Sequence, residues 1–220
     1  MSRHERITVQ SGNQCKLQGH QQKFKHLSKN KIMTKAENII LIGGSAGSYS
    51  LIISMLESIP VNISSAVIVV IHRNAKYSTQ MEKSLSLKLK RPIVPAEDKV
   101  MIENNTIYFA APGYHLLIEP DRTFSLDISD PVNFSRPSID VIFESAAEVY
   151  TNRCTAFLLS GANNDGAYGI KRVEYFGGTS IIQDPLDAII DTMPSSAITT
   201  SSKAKVLKNK EIINYFCSIK

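Results

Sequence analysis

Three side chains of this 220-residue chain have the types and the setting to pass a proton along one line: Ser45, His72 and Asp165. Ser45 ends the run Ile39-Ile40-Leu41-Ile42-Gly43-Gly44-Ser45-Ala46-Gly47, an apolar segment closing in a G-x-S-x-G turn. Glycine takes backbone conformations barred to residues with a Cβ, so such a turn can hold a hydroxyl at the lip of a sheet. The same turn opens the first crossover of many α/β domains, so the motif alone does not make a nucleophile. A serine hydroxyl attacks poorly until a base takes its proton; neutral imidazole does so near pH 7 and typically speeds the step by about 10²- to 10⁴-fold. His72, directly after Val70-Ile71, is the candidate base. A buried carboxylate fixes the imidazole tautomer and stabilises the imidazolium. Asp165, in Ser160-Gly161-Ala162-Asn163-Asn164-Asp165-Gly166, is the candidate for that role. Taken singly, His72 reads better as a hydrogen-bonded structural residue and Asp165 better as a turn or helix cap. Their joint placement is what points to catalysis.

The elements that must position them follow from the apolar pattern. Continuous β-branched runs at 38–43, 66–71 and 154–159 suit strands buried on both faces of a parallel sheet, and a helix-like segment follows each. Leu51, Ile52, Met55, Leu56 and Ile59 recur at helical spacing, as do Ile139, Val141, Ile142, Ala146 and Val149 after Pro137, which suits an early helix position. A further strand is expected at 179–183 and a terminal helix at 209–219. Residues 100–128 read as hairpin chemistry instead: Thr106–Ala110, His115–Ile118 and Phe124–Ile128 are short runs punctuated by Pro112-Gly113 and Pro120-Asp121. The fold expected is α/β: a mostly parallel, doubly wound, Rossmann-like sheet with helices on both faces and an antiparallel β-hairpin region. In such a sheet ligands bind outside the carboxyl ends of the strands, where Ser45, His72 and Asp165 all fall.

Composition narrows the class. The net charge of +5 comes from residues 1–35, which hold eight Lys or Arg against the single acid Glu5 and leave the rest of the chain slightly acidic. Nucleic acid is therefore not an expected partner of the folded body. The organisation read from the chain is a basic, disordered N-terminal arm at 1–36, a catalytic domain at 37–203 and a C-terminal extension at 204–220. No apolar stretch approaches the roughly 20 residues of a membrane span and no signal-peptide core is present, so a cytoplasmic protein is expected. Cys15, Cys154 and Cys217 are odd in number and widely spaced, which argues against a disulfide framework or a zinc site. No metal and no cofactor are expected.

Two further motifs are ambiguous from the residues alone. His115, in Ala111-Pro112-Gly113-Tyr114-His115, is a rival base, but it sits in the expected hairpin region and reads as structural or rim-lining. Arg136-Pro137-Ser138-Ile139-Asp140 suits recognition of a substrate carboxylate and equally suits capping at a helix start.

Together, Gly43–Gly47, His72, Ala111–His115, Arg136–Asp140, Leu159–Ala167 and Met193-Pro194-Ser195-Ser196-Ala197-Ile198 resemble, in order, the landmarks of the CheB-type chemotaxis protein-glutamate methylesterase catalytic domain, in its receiverless form. The match covers about residues 38–200. The resemblance implies hydrolysis of γ-glutamyl methyl esters on chemoreceptors, with deamidation of receptor glutamines in some members. It implies a Ser45, His72, Asp165 triad, an oxyanion hole from the backbone N–H groups of Ala162 and Ala46, and substrate contacts from Arg136, Ser138, Asn164 and Met193. The family carries Thr at the place of Ala46, Met at that of Ala162 and often His at that of Ser135. A backbone donor survives such changes, whereas a missing Met widens the pocket. Residues 1–37 are too few for the phosphoacceptor receiver domain of many relatives. The competing expectation is a catalytically impaired homologue that acts as a signalling binding module.

Overall fold

The computed structural model describes residues 34–73 and 81–219, so most of the basic arm lies outside the described residues. Seven strands form one sheet: β1 (Asn38–Gly44), β2 (Ser65–Ile71), β3 (Ile93–Pro95), β4 (Ile107–Phe109), β7 (Cys154–Leu158), β8 (Thr179–Gln183) and β9 (Lys205–Leu207). Their spatial order is β3-β4-β2-β1-β7-β8-β9, and every neighbouring pair is parallel. A separate antiparallel hairpin joins β5 (His115–Ile118) to β6 (Phe124–Asp127). Among the described residues six α-helices accompany the strands: α1 (Tyr49–Glu57), α2 (Met81–Leu89), α3 (Ile139–Tyr150), α4 (Ala167–Tyr175), α5 (Thr192–Thr200) and α6 (Asn209–Ser218).

The strand alternation sorts the core into two layers. Ile39 and Leu41 face one side of the sheet and pack with Ile142, Phe143 and Ile170 of α3 and α4. Ile40 and Ile42 face the other and pack with Ile52 and Met55 of α1 and with Ile212 and Phe216 of α6. Strands apolar on both faces are thus required, because each face must cover a helix layer. Residues 205–218 contribute the edge strand β9 and helix α6 to this same sheet. Cys154 is buried, and burial pushes its thiol pKa up to about 12, so it packs as a small apolar residue.

The hairpin region differs from the sequence expectation in one strand. His115–Ile118 and Phe124–Asp127 do pair as a hairpin, but Ile107–Phe109 enters the main sheet between β2 and β3. All three of its residues are buried, and a run that short cannot display whether one face or two are covered. Pro137 also lies outside helix α3, one residue before its N-cap Ser138.

The chain leaves β1 for β2 on one side, and β7 lies on the other. The crevice outside the carboxyl ends of β1 and β7 is therefore the switch point of the sheet.

Candidate active site

Register puts Ser45 and His72 side by side. Gly44 pairs with Ile71 at the ends of β1 and β2, and the His72 N–H donates to the Gly44 carbonyl at 3.3 Å. On the other flank the Ser45 N–H donates to the Ser160 carbonyl, which follows β7, at 2.9 Å. Ser160 then locks the loops together. Its buried hydroxyl accepts from the Ile190 N–H at 2.9 Å and lies 2.9 Å from the Ala46 carbonyl and 3.0 Å from that of Ile190, either of which can take its proton. The turn itself needs glycine at position 47, where φ is +85° and a Cβ would stand 2.6 Å from Ser160 Oγ and 2.7 Å from Ile189 Cβ. Gly47→Ala is expected to cost roughly 2–4 kcal/mol of stability through backbone strain and overpacking. Urea denaturation checks this, and a loss under about 0.5 kcal/mol would show that the turn tolerates a side chain.

Asp165 is fully buried and accepts four hydrogen bonds. Oδ2 takes His72 Nε2–H at 2.8 Å and the Ile139 N–H at 2.7 Å; Oδ1 takes the Ser138 hydroxyl at 2.8 Å and the Asp140 N–H at 3.0 Å. The carboxylate thus sits on the open N-terminus of α3, where unpaired N–H groups and the helix dipole favour negative charge. Burial alone raises its pKa, but the bonds from His72, Ile139, Asp140 and Ser138 outweigh that and hold it below the ordinary carboxylate value. An ionised Asp165 can only accept, so His72 Nε2 carries the proton and Nδ1 is the basic nitrogen.

Asp140, in the first turn of α3, has the opposite balance. Burial is the main cause raising its pKa to about 6, with the nearby Asp165 charge adding to it and the bond from the Gly169 N–H opposing it. Its oxygens accept from the Gly169 N–H at 2.7 Å and from Asn133 Nδ2 at 3.0 Å. A folded-state pKa above the unfolded value contributes stability that is fully present below about pH 4 and lost as pH rises through about 6. Asp140→Asn removes that titration. Relative to the natural chain, the variant is expected to gain roughly 2–3 kcal/mol of stability between pH 4 and 7. Urea denaturation at both ends of that range checks it, and a difference independent of pH would contradict it.

The remaining sequence candidates divide clearly. His115 is buried, with Nδ1 accepting the Ser138 N–H at 3.2 Å and Nε2 3.1 Å from the Asp130 carbonyl. Both nitrogens are committed to holding the chain ahead of α3, so it is structural. Ser138 is buried with its hydroxyl on Asp165, and Met193 is buried against Gly161, so neither presents a side chain to a substrate. Asn164 is exposed. Arg136 spends Nη1 on the carbonyls of Ile128 and Ser129, at 2.7 and 2.9 Å, and lines an open cleft of about 380 Å³ with His72, Arg73, Gly113, Phe134 and Ser135. Of the two readings of its motif, Arg136 thus sits at the cleft while Ser138 and Asp140 serve the helix start.

Two side chains of the site carry no signal of their role in the sequence. Ser135 Oγ stands 3.2 Å from His72 Nδ1, and Asn163 Nδ2 donates to Ser135 Oγ at 3.2 Å and to the Asn133 carbonyl at 3.1 Å. In the sequence Ser135 stands out only as a place where the resembled family often has His. Ser45 Oγ makes no hydrogen bond among the described residues, and the N–H groups of Ala46 and Ala162, both exposed, donate none there. A free hydroxyl, an imidazole oriented by a buried carboxylate and two unspent backbone N–H groups are the kinds of parts that acyl transfer uses.

Comparison with known proteins agrees in extent. The CheB methylesterase family matches residues 40–216. A Leptospira interrogans protein, provisionally named a protein-glutamate methylesterase/protein-glutamine glutaminase, is 42% identical over 181 residues, covering 80% of this chain and 92% of its own. The protein-glutamate methylesterase FrzG of Myxococcus xanthus is 28% identical over 169 residues, which span 77% of this chain and 51% of FrzG. The crystal structure of the Thermotoga maritima CheB methylesterase catalytic domain superposes with a TM-score of 0.72 at 28% identity, covering 82% of this chain and 97% of that one. Structural superposition, matched residues and sequence identity converge on one conclusion: the chain belongs to the CheB methylesterase family, a family of protein-glutamate methylesterase/glutaminase enzymes.

Proposed function

We propose that this chain is a cytoplasmic serine hydrolase that demethylates glutamate methyl esters on chemoreceptor-type proteins, with glutamine deamidation as its companion reaction. Ser45 Oγ attacks the ester carbonyl carbon while His72 Nδ1 takes its proton, and Asp165 stabilises the imidazolium through Nε2–H. The backbone donors of Ala46 and Ala162 receive the oxyanion of the tetrahedral intermediate, a contribution worth about 3–4 kcal/mol per donor where it has been measured in other enzymes. Collapse breaks the acyl–oxygen bond, and His72 returns its proton to the departing methanol. Water, activated by the same nitrogen, then attacks the acyl-enzyme and frees the glutamate carboxylate and Ser45. With glutamine the group that leaves is ammonia. Arg136 lies at the cleft with donors to spare for the substrate backbone or a neighbouring carboxylate.

The observation that carries this reading is the 2.8 Å His72–Asp165 pair at the carboxyl end of the sheet, one residue from the strand pairing that brings Ser45 alongside. A second reading, a signalling module without turnover, draws on the proximity of His72 Nδ1 to Ser135 rather than to Ser45. The test is release of volatile methanol from membranes bearing methyl-labelled chemoreceptors, run beside Ser45→Ala. Release by the natural chain alone supports the hydrolase. Equal release from both proteins removes the catalytic role of Ser45, and no release from either favours the module.

A further inference from the structure

The hydroxyl of Ser135 has three polar neighbours that divide its bonding capacity in only two ways. Asn163 Nδ2, at 3.2 Å, can only donate to it, because an amide nitrogen offers no lone pair. The Asn133 carbonyl, at 3.4 Å, can only accept from it. His72 Nδ1, at 3.2 Å, accepts when bare and donates when protonated. One lone pair of Ser135 Oγ is therefore held by Asn163, and its proton turns either to Nδ1 or to the Asn133 carbonyl. Asn163 is fixed in turn, since its Oδ1 accepts the Asp165 N–H at 3.3 Å.

We propose that Ser135, pinned by Asn163, is the positioning residue of the base: it fixes the ring of His72 with Nδ1 as the basic nitrogen and accommodates the ring in both protonation states. This rests on the hydrolase reading above. In the resting protein the Ser135 O–H donates to the Nδ1 lone pair. The ring is then held from both ends, by Ser135 at Nδ1 and by Asp165 at Nε2–H. Nδ1 has one lone pair, so as Ser45 delivers its proton the Ser135 O–H must first turn to the Asn133 carbonyl and free that lone pair; Oγ then offers its own lone pair to Nδ1–H. No proton leaves Ser135 in either state. Ser135 and His72 both border the cleft, so a water that replaced the hydroxyl would lack the anchor that Asn163 gives it.

The test pairs kinetics with the nitrogen-15 spectrum of the His72 imidazole, using Ser135→Ala, Ser135→Thr and Asn163→Ala. The natural chain is expected to show the Nε2–H tautomer with a hydrogen-bonded Nδ1. Ser135→Ala is expected to move the Nδ1 resonance toward that of a lone pair without a donor, to admit the Nδ1–H tautomer, and to lower kcat by about 10- to 100-fold with KM little changed. Ser135→Thr keeps the hydroxyl and is expected to recover most of both. Asn163→Ala, which leaves the hydroxyl but frees it, is expected to give the same changes at roughly a third of the size on a logarithmic scale, and stands in if Ser135→Ala does not fold. An unchanged imidazole spectrum in Ser135→Ala overturns the proposal, as does a Thr variant no better than Ala. If the natural chain releases no methanol, the hydrolase reading fails while the spectrum still decides the role of Ser135.

Discussion

Ser45→Ala should lower methanol release by about 10⁴- to 10⁶-fold, the range in which serine hydrolases lose turnover when the attacking oxygen is removed. The same substitution should leave stability within about 0.5 kcal/mol, because the hydroxyl makes no hydrogen bond among the described residues and its removal strands no buried partner. That combination separates a nucleophile from a structural serine. Ser160, whose hydroxyl ties together the loops after β1 and β8, would show the reverse: a stability loss first, with activity following it. Kinetics and urea denaturation on one preparation of Ser45→Ala check both halves. A loss of less than about tenfold, or one matched by unfolding, would contradict the assignment.

Asp165→Asn should fail on two counts at once. An amide has one acceptor oxygen and one donor nitrogen where the carboxylate offered two acceptors to four donors. If the amide nitrogen faces His72 and Ile139, Nε2 must become the acceptor, which moves the ring proton to Nδ1 and removes the lone pair that would receive the Ser45 proton. A wrong tautomer of this kind costs about 10⁴-fold in kcat in a related triad. The Ile139 N–H meanwhile loses its partner at the buried start of α3, so stability should fall by roughly 2–4 kcal/mol. The sign with pH follows from the depressed pKa of Asp165. Its contribution is present above the unfolded carboxylate value, near 4, and is lost as pH falls through the lower folded value. The stability gap between the natural chain and Asp165→Asn should therefore be widest above pH 5 and close in acid. A constant gap, or turnover within tenfold of the natural chain, would contradict the role given to this carboxylate.

Ser45, His72 and Asp165 were legible in the sequence because each follows a run of apolar residues long enough to identify a buried strand, and parallel strands place their following residues at one edge. The hairpin strands His115–Ile118 and Phe124–Asp127 were legible for a similar reason, since turn residues bracket them. Two strands were not: Ile93–Pro95 and Lys205–Leu207 are three-residue edges, the second largely exposed. Ile107–Phe109 was legible as a short run but not in its pairing, because the Pro-Gly turn that follows speaks for a hairpin. Within the site, the sequence pointed to a carboxylate for His72 but not to the helix it caps. Ile139 and Asp140 meet Asp165 across about 25 residues of chain, through backbone groups that carry no residue-specific signal. Ser135 and Asn163 were missed because a serine or asparagine in a loop is ordinary turn chemistry, and only the folded arrangement brings them to Nδ1.

The assignment of Ser45 as attacking oxygen is tested most directly by covalent trapping. The protein is treated with a fluorophosphonate, which phosphonylates an activated serine with loss of fluoride, then digested and mapped by mass spectrometry, with His72→Ala in parallel. The expected result is a single adduct on the peptide carrying Ser45, greatly diminished in His72→Ala. An adduct on Ser135, the serine that faces His72 Nδ1, or labelling of Ser45 that does not depend on His72, would contradict a Ser45–His72–Asp165 relay.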